Sequence, residues 1–331
     1  MQKNTMDLTD LKIMSFLDLD ARMPNSSIAK KLRVSREVVD YRIKRLVKED
    51  IIKRFYSHIH AQKTGYSVYK VYLKTKGMDS SKEGELKNYL IKNANVFRFI
   101  SCDGVYDVIV SIAARDIYEM NRIMKDFLSK YDEFLLSKEV TISTGIYHFR
   151  KEHLLGKKNK DIEPLFNGGE KGTIILDKKD NEIVKILANN ARMHVSSLGK
   201  RIGITSSAVI SRIKALKNKG VIGAFRCSID MKKLGFTSYR MLLSLKFIDQ
   251  KKEKELHQFC MQTPNIVLFL YCIGRWDMEI EIEVENSQEF HVILKEIKSR
   301  FSNIISQCDY VMNSTEYKFD LFPGCYPPGL I

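Results

Sequence analysis

Negative charge is the scarce commodity in this sequence: 40 Asp and Glu face 55 Lys and Arg, a net charge of +15. That balance points away from basic partners and toward a polyanion. Long apolar runs are also missing. None approaches the roughly 18 residues of a membrane-spanning helix, so no span is expected. The first residues, Met1 to Leu8, hold no signal-peptide apolar region, which makes a cytoplasmic protein the expectation. Cys102, Cys227, Cys260, Cys272, Cys308 and Cys325 form no C-x-x-C pair. A structural zinc site is therefore not expected, and the thiols read as reduced, small core residues. No P-loop, dinucleotide fingerprint or nucleophile–base motif occurs, so no cofactor and no catalytic residue is assigned.

What is present is a repeat. Shifted by 170, the chain superimposes on itself. Ala21-Arg22-Met23 returns as Ala191-Arg192-Met193, and Arg42-Ile43-Lys44 as Arg212-Ile213-Lys214. Gly65 returns as Gly235, and Cys102, Gly104 and Asp107 as Cys272, Gly274 and Asp277. A repeat of this length is a whole two-domain module rather than a solenoid unit.

Each copy opens with three helix signals. Asp10 to Asp18 is apolar at helical spacing, Asn25 or Ser26 caps a second helix through Leu32, and Ser35 caps a third. In the second copy Asp180 to Leu187, a helix capped by Ser196 or Ser197, and a helix capped by Thr205 follow the same order. The third helix of the first copy turns Val39, Ile43 and Leu46 inward and a basic, hydrogen-bonding face outward. That is a helix-turn-helix with a face suited to a DNA major groove. Charge placement agrees. Residues 1–60 carry 13 basic and 8 acidic residues and residues 177–230 carry 11 and 4, so these segments supply 12 of the 15 excess charges.

Ile51 to Tyr56 and Val221 to Arg226 read as wing strands leading away from the heads, with Lys53, Arg54 and Arg226 in reach of phosphate. The remainder of each copy reads as βαββαβ, the order of a ferredoxin-like sandwich. The fold class is therefore α+β. Winged helix-turn-helix domains are expected at 1–62 and 176–232, and ferredoxin-like domains at 63–149 and 233–318. A polar linker at 150–175 and a tail at 319–331, a loop packed on the surface, complete the chain.

A winged helix-turn-helix followed by βαββαβ resembles the leucine-responsive regulator/AsnC family of transcription factors. The resemblance rests on Ala21-Arg22-Met23, Ile28-Ala29-Lys30-Lys31-Leu32, Arg42, Leu46, Ile51-Ile52, Gly65 and Gly104-x-x-Asp107, with counterparts in the second copy. This chain departs by fusing two copies, and by Arg33 and Asp50 where glycine is usual. The resemblance implies double-stranded DNA as partner and βαββαβ domains that pair into dimers and higher oligomers. It also implies an effector of the amino-acid class, and here an intramolecular pseudo-dimer.

The expected DNA-reading residues of the first head are Ser35, Arg36, Glu37, Asp40, Tyr41, Arg42, Lys44 and Arg45. Those of the second are Thr205, Ser206, Ser207, Ser211, Arg212 and Lys214. Arg42 and Arg212 sit at the edge of the apolar seam and serve either a phosphate or a neighbouring helix. Ile210 and Ala215 replace Asp40 and Arg45, so an asymmetric operator is expected, unless one head only grips phosphate. Gly104, Tyr106 and Asp107, with Gly274, Trp276 and Asp277, are the effector candidates; tight turns and backbone acceptors are the alternative. Glu279, Glu281, Glu283 and Glu285 read as a solvated strand face, and His58 and His60 as exposed wing histidines. Siroheme decarboxylases resemble the same unit. Their histidine-bearing segment falls on Phe97-Arg98-Phe99 and Val267-Leu268-Phe269, which lack it. A non-specific architectural DNA binder is the third reading.

Overall fold

The computed structural model describes residues 6–156, 163–169, 172–246, 250–320 and 322. The first half runs α1 (Leu8–Leu19), α2 (Asn25–Leu32), α3 (Arg36–Lys48) and β1 (Ile52–Ile59). Next come β2 (Ser67–Thr75), α4 (Ser80–Lys92), β3 (Val96–Gly104), β4 (Val108–Ala114), α5 (Ile117–Tyr131) and β5 (Leu135–His148). A short strand, β6 (Leu165–Gly168), lies in the segment expected to be a plain linker. The second half repeats the series as α6 (Lys178–Asn189), α7 (Val195–Ile202), α8 (Ser206–Asn218) and β7 (Ile222–Ile229). It continues through β8 (Thr237–Leu245), α9 (Gln250–Gln262), β9 (Ile266–Ile273), β10 (Met278–Val284), α10 (Ser287–Arg300) and β11 (Ile305–Phe319). The expected tail lies outside the described residues apart from its first two residues and Phe322, which is buried against the second head.

Capping chemistry sets the helix starts. Asp7, Ser35, Asp177 and Thr205 each accept a backbone N–H three residues on. The second helices differ from expectation. Pro24 and His194 occupy their N-cap positions and make no side-chain cap, so neither Asn25 or Ser26 nor Ser196 or Ser197 caps there. The turn after α2 needs a left-handed residue. Arg33 takes φ 57° where the second half has Gly203 at 74°, and Asp50 takes 54° where it has Gly220 at 70°.

The strands expected to be separate wings pair with each other. β1 and β7 form one antiparallel ribbon, with Phe55 opposite Cys227 and Ser57 opposite Phe225. Alternation in sequence marks a strand but not its partner, which here comes from the other half. The exchange mixes the two head cores. Cys227, Ile229 and Met231 pack among the apolar residues of α1–α3, while Ile59 packs among those of α6–α8.

The ferredoxin-like sheets join edge to edge on both sides. The order β2-β4-β3-β11-β8-β10-β9-β5 closes through β2–β5, and β6 extends β5 where β2 has left it. One strand face carries the apolar residues that meet the helices, among them Val108, Val110 and Ile112 in the first half and Met278, Ile280 and Ile282 in the second. The other face lines a closed lumen. It places Glu279, Glu281 and Glu283 inside the molecule, 0%, 7% and 4% exposed, which corrects the solvated-face expectation. Only Glu285, past the strand end, is exposed. Polar alternation looks alike for solvent and for a sheet closed on itself. Cys102, Cys227, Cys260 and Cys272 are buried and Cys308 is half-buried, none of them in a disulfide among the described residues; Cys325 lies outside the described residues.

Candidate nucleic-acid interface

In α3 the residues Val39, Ile43 and Leu46 are buried. Arg36, Glu37, Tyr41, Lys44 and Lys48 are exposed, Tyr41 by 65%. In α8 the corresponding face is formed by Ser206, Ser207, Ile210, Ser211, Lys214 and Lys217. Lys30 and Lys31 on α2, and Lys200 and Arg201 on α7, are exposed cations of the preceding helices. The Ser35 and Thr205 hydroxyls accept from the N–H groups of Val38 and Ala208. Both side chains nonetheless stay exposed at the helix N-termini, where partial positive charge favours an anion.

Several expected contact residues have other partners. Arg42 donates to Asp7 at 2.8 Å and Asp10 at 2.9 Å, and Arg212 donates to Asp177 and Asp180, both at 2.7 Å. Each therefore ties the reading helix to the first helix of its own head, the neighbouring-helix alternative. Arg45 reaches the same Asp10. Asp40 takes a hydrogen bond from Asn25 and pairs loosely with Arg36. Lys53 pairs with Asp230 at 3.0 Å while remaining partly exposed, and Arg54 donates to the Phe319 carbonyl. Arg226 is a correction. Its guanidinium, 9% exposed, grips Asp18 through two nitrogens at 2.9 and 2.7 Å and cannot reach a phosphate.

A pair of residues whose repeat was visible but whose role was not is Arg22 and Arg192. Arg22 donates to the carbonyls of Ala191 and Met193 at 2.6 and 3.2 Å. Arg192 returns the contact to the Ala21 carbonyl and the Asn25 side chain at 3.0 and 2.7 Å. Each also lies over an aromatic ring of the ribbon, Phe225 and Phe55 respectively. The doubled Ala-Arg-Met was the only sequence signal for this reciprocal clamp.

The expected effector residues fulfil their structural alternative. The Asp107 carboxylate accepts from the Thr75 N–H at 2.8 Å and from Lys74 at 2.7 Å; burial raises its pKa, but these donors outweigh it and leave it lowered. Asp277 accepts from the Leu245 N–H at 2.7 Å. Gly104 and Gly274 have φ 134° and 152°, and a Cβ on Gly274 would stand 2.7 Å from the Val140 carbonyl oxygen. Tyr106 and Trp276 pack with Tyr72 against one another in the lumen core.

The lumen carries a charge cluster. Lys70, Tyr72 and Arg240 all bind Glu279, and Arg240 also binds Glu281. Burial raises the pKa of both carboxyls, yet the cations outweigh it and bring each down to about 2. The halves contribute unequally: Ile109, Ser111 and Ala113 stand where the second half has Glu279, Glu281 and Glu283. His58 and His60, expected exposed, are instead drawn inward. His58 is 4% exposed and contacts His148, Nε2 to Nε2, at 3.0 Å. No group of three or more metal-ligating side chains with the geometry to hold an ion occurs among the described residues.

Comparison with known proteins agrees with this picture. A family model for winged helix-turn-helix DNA-binding matches residues 6–53 and 176–222. The chain is 31% identical over 124 residues to the HTH-type transcriptional regulator FL11 of Pyrococcus horikoshii, covering 38% of this chain and 81% of that protein. It is 34% identical over 103 residues to the HTH-type transcriptional regulator Ptr1 of Methanocaldococcus jannaschii, covering 31% of this chain and 68% of the relative. Over most of its length it shares a fold with the siroheme decarboxylase NirDL. There the TM-score is 0.64 with 12% identity, covering 95% of this chain and 94% of the other.

Proposed function

From the premise that this chain belongs to the leucine-responsive regulator/AsnC family of transcription regulators, in tandem-duplicated form, we propose that its two unlike heads bind one asymmetric operator in double-stranded DNA. The observation that carries the reading is the contrast between two exposed helix faces on one ribbon. The first offers Arg36, Glu37, Tyr41 and Lys44; the second offers Ser207, Ile210, Ser211 and Lys214. Arginine and lysine reach guanine edges and phosphates, whereas serines and an exposed isoleucine favour other base edges and thymine methyl groups. Arg42, Arg45 and Arg212 hold the reading helices in position, and Arg226 stabilises the core behind them.

Selection of bound sequences from random double-stranded DNA tests this. Two different half-sites are expected, and Arg36→Ala with Lys44→Ala should erase preference at one of them alone. A perfect palindrome as the optimum would overturn the asymmetric reading. Random DNA competing as well as selected DNA would favour the architectural one. We infer no enzymatic role. Phe97 and Val267 begin the segments where the decarboxylases carry their histidine, and neither segment holds one. A Soret shift on adding iron-uroporphyrin would contradict this. Assembly of several pseudo-dimers is proposed on family grounds, with light scattering of the full chain as its measure.

A further inference from the structure

A cavity of about 410 Å³ lies where the ribbon and the end of α1 meet the mouth of the lumen. Its walls come in mates related by the 170-residue shift: Tyr56 with Arg226, His58 with Ser228, Arg98 with Leu268, and Phe149 with Phe319. The cavity therefore straddles the pseudo-twofold axis. In a true homodimer such a site would present the same chemistry twice. Here only the phenylalanines match, so the cavity is one asymmetric site per chain.

Its chemistry is mixed in a definite way. Arg226 and Arg98 are held by Asp18 and Glu316, yet Nη1 of Arg226 and Nη2 of Arg98 make no hydrogen bond among the described residues. Two other buried polar groups in the wall have unpartnered atoms, Nδ1 of His58 and Oδ1 of Asn313. The side chains are 4% and 9% exposed. The remaining cations of the lining are paired, except Lys232 at the rim, which makes no ion pair among the described residues. Opposite these groups stand apolar and aromatic surfaces: Tyr56 against Phe319, then Phe149, Val267 and Leu268.

We propose that this cavity binds one organic carboxylate with an apolar body about the size of an aryl ring. Guanidinium groups already fixed by their acids lose little freedom when they take a carboxylate on a free edge. Lys232 at the rim is the lining cation without an acid partner among the described residues, which favours a singly charged anion. The volume lies near the lower end of the roughly 300–1,000 Å³ of small-molecule sites and has room for a ring and a short acid. Because the walls belong to both the heads and the barrel, occupancy bears on how the heads sit. That regulatory consequence rests on the DNA-binding reading; the binding itself does not.

Calorimetry on the full chain at neutral pH tests the site, with phenylacetate and phenylpyruvate as probes and phenylacetamide as the uncharged isostere. Saturable binding of a carboxylate at one per chain is expected, with the amide at least about 10-fold weaker. Arg98→Met together with Glu316→Gln, which removes the cation without leaving its acid unpaired, should weaken the carboxylate by about the same factor, while Glu281 keeps Arg240 as partner. Ser228→Phe, which fills the cavity without removing an ion-pair partner, should abolish binding while leaving the thermal transition in place. Equal affinity for acid and amide, two sites per chain, undiminished binding by the filled variant, or no binding of either acid at millimolar concentration would each overturn the proposal. DNA affinity measured without probe tests the other reading separately.

Discussion

Arg22 and Arg192 show how much a single side chain carries here. Each charged donor reaches backbone carbonyls of the other head, and such a bond contributes about 1.5–3 kcal/mol. Arg22→Met together with Arg192→Met should lower stability in urea unfolding by several such increments and loosen both heads at once. The lumen is stricter still. Glu279→Ala would leave Lys70 and Arg240 short of their shared partner and is expected to cost about 3–5 kcal/mol, measured by the same unfolding. The buried histidines predict acid sensitivity. Burial, with the neighbouring His148, His60 and Arg226, holds the His58 pKa well below its usual value, and burial with Lys63 brings His60 down to about 4. The folded state therefore binds fewer protons than the unfolded one below pH about 6.5. Their stabilisation is present above that pH and is lost as pH falls toward 4. A thermal midpoint that stayed flat over that window would contradict it. None of these roles was visible in the sequence. Arg22 repeated without showing its target, and the alternating glutamates and the two histidines looked outward because nothing local reports a sheet that closes on itself.

At the level of elements the sequence was more readable, because period and capping are local. The seam of Val39, Ile43 and Leu46 and the caps Ser35 and Thr205 stand where they were expected. The second-helix caps were misjudged because a proline and a histidine precede those helices and the nearby serines lie inside them. The two reading helices should respond separately. Lys44→Ala should weaken binding to one half-site and Lys214→Ala binding to the other, each by about tenfold for a base-reading contact and more evenly across sequences for a phosphate contact. Electrophoretic shifts on operators with one half-site scrambled distinguish the two. Arg212→Ala belongs to a different class: it removes the tie between α8 and the Asp177 and Asp180 of α6. Its effect should appear in stability before it appears in sequence preference.

For the whole molecule, the repeat made a two-headed pseudo-dimer legible, but not the way its halves interlock. The β1–β7 ribbon runs through both head cores, so the reading helices cannot shift independently without unpairing it. Operator spacing should therefore be strict. Inserting about half a helical turn, near five base pairs, between the half-sites should reduce affinity to the non-specific level, whereas scrambling the spacer at constant length should not. The lumen has a further consequence. Pairing two second halves would set two rows of three glutamates face to face with one Arg240 from each side; pairing two first halves would bury two Lys70 ammonium groups with no glutamate at 109, 111 or 113. Both combinations are penalised by uncompensated buried charge. The chain thus carries an internal address: its lumen charges favour pairing of unlike halves over pairing of like ones.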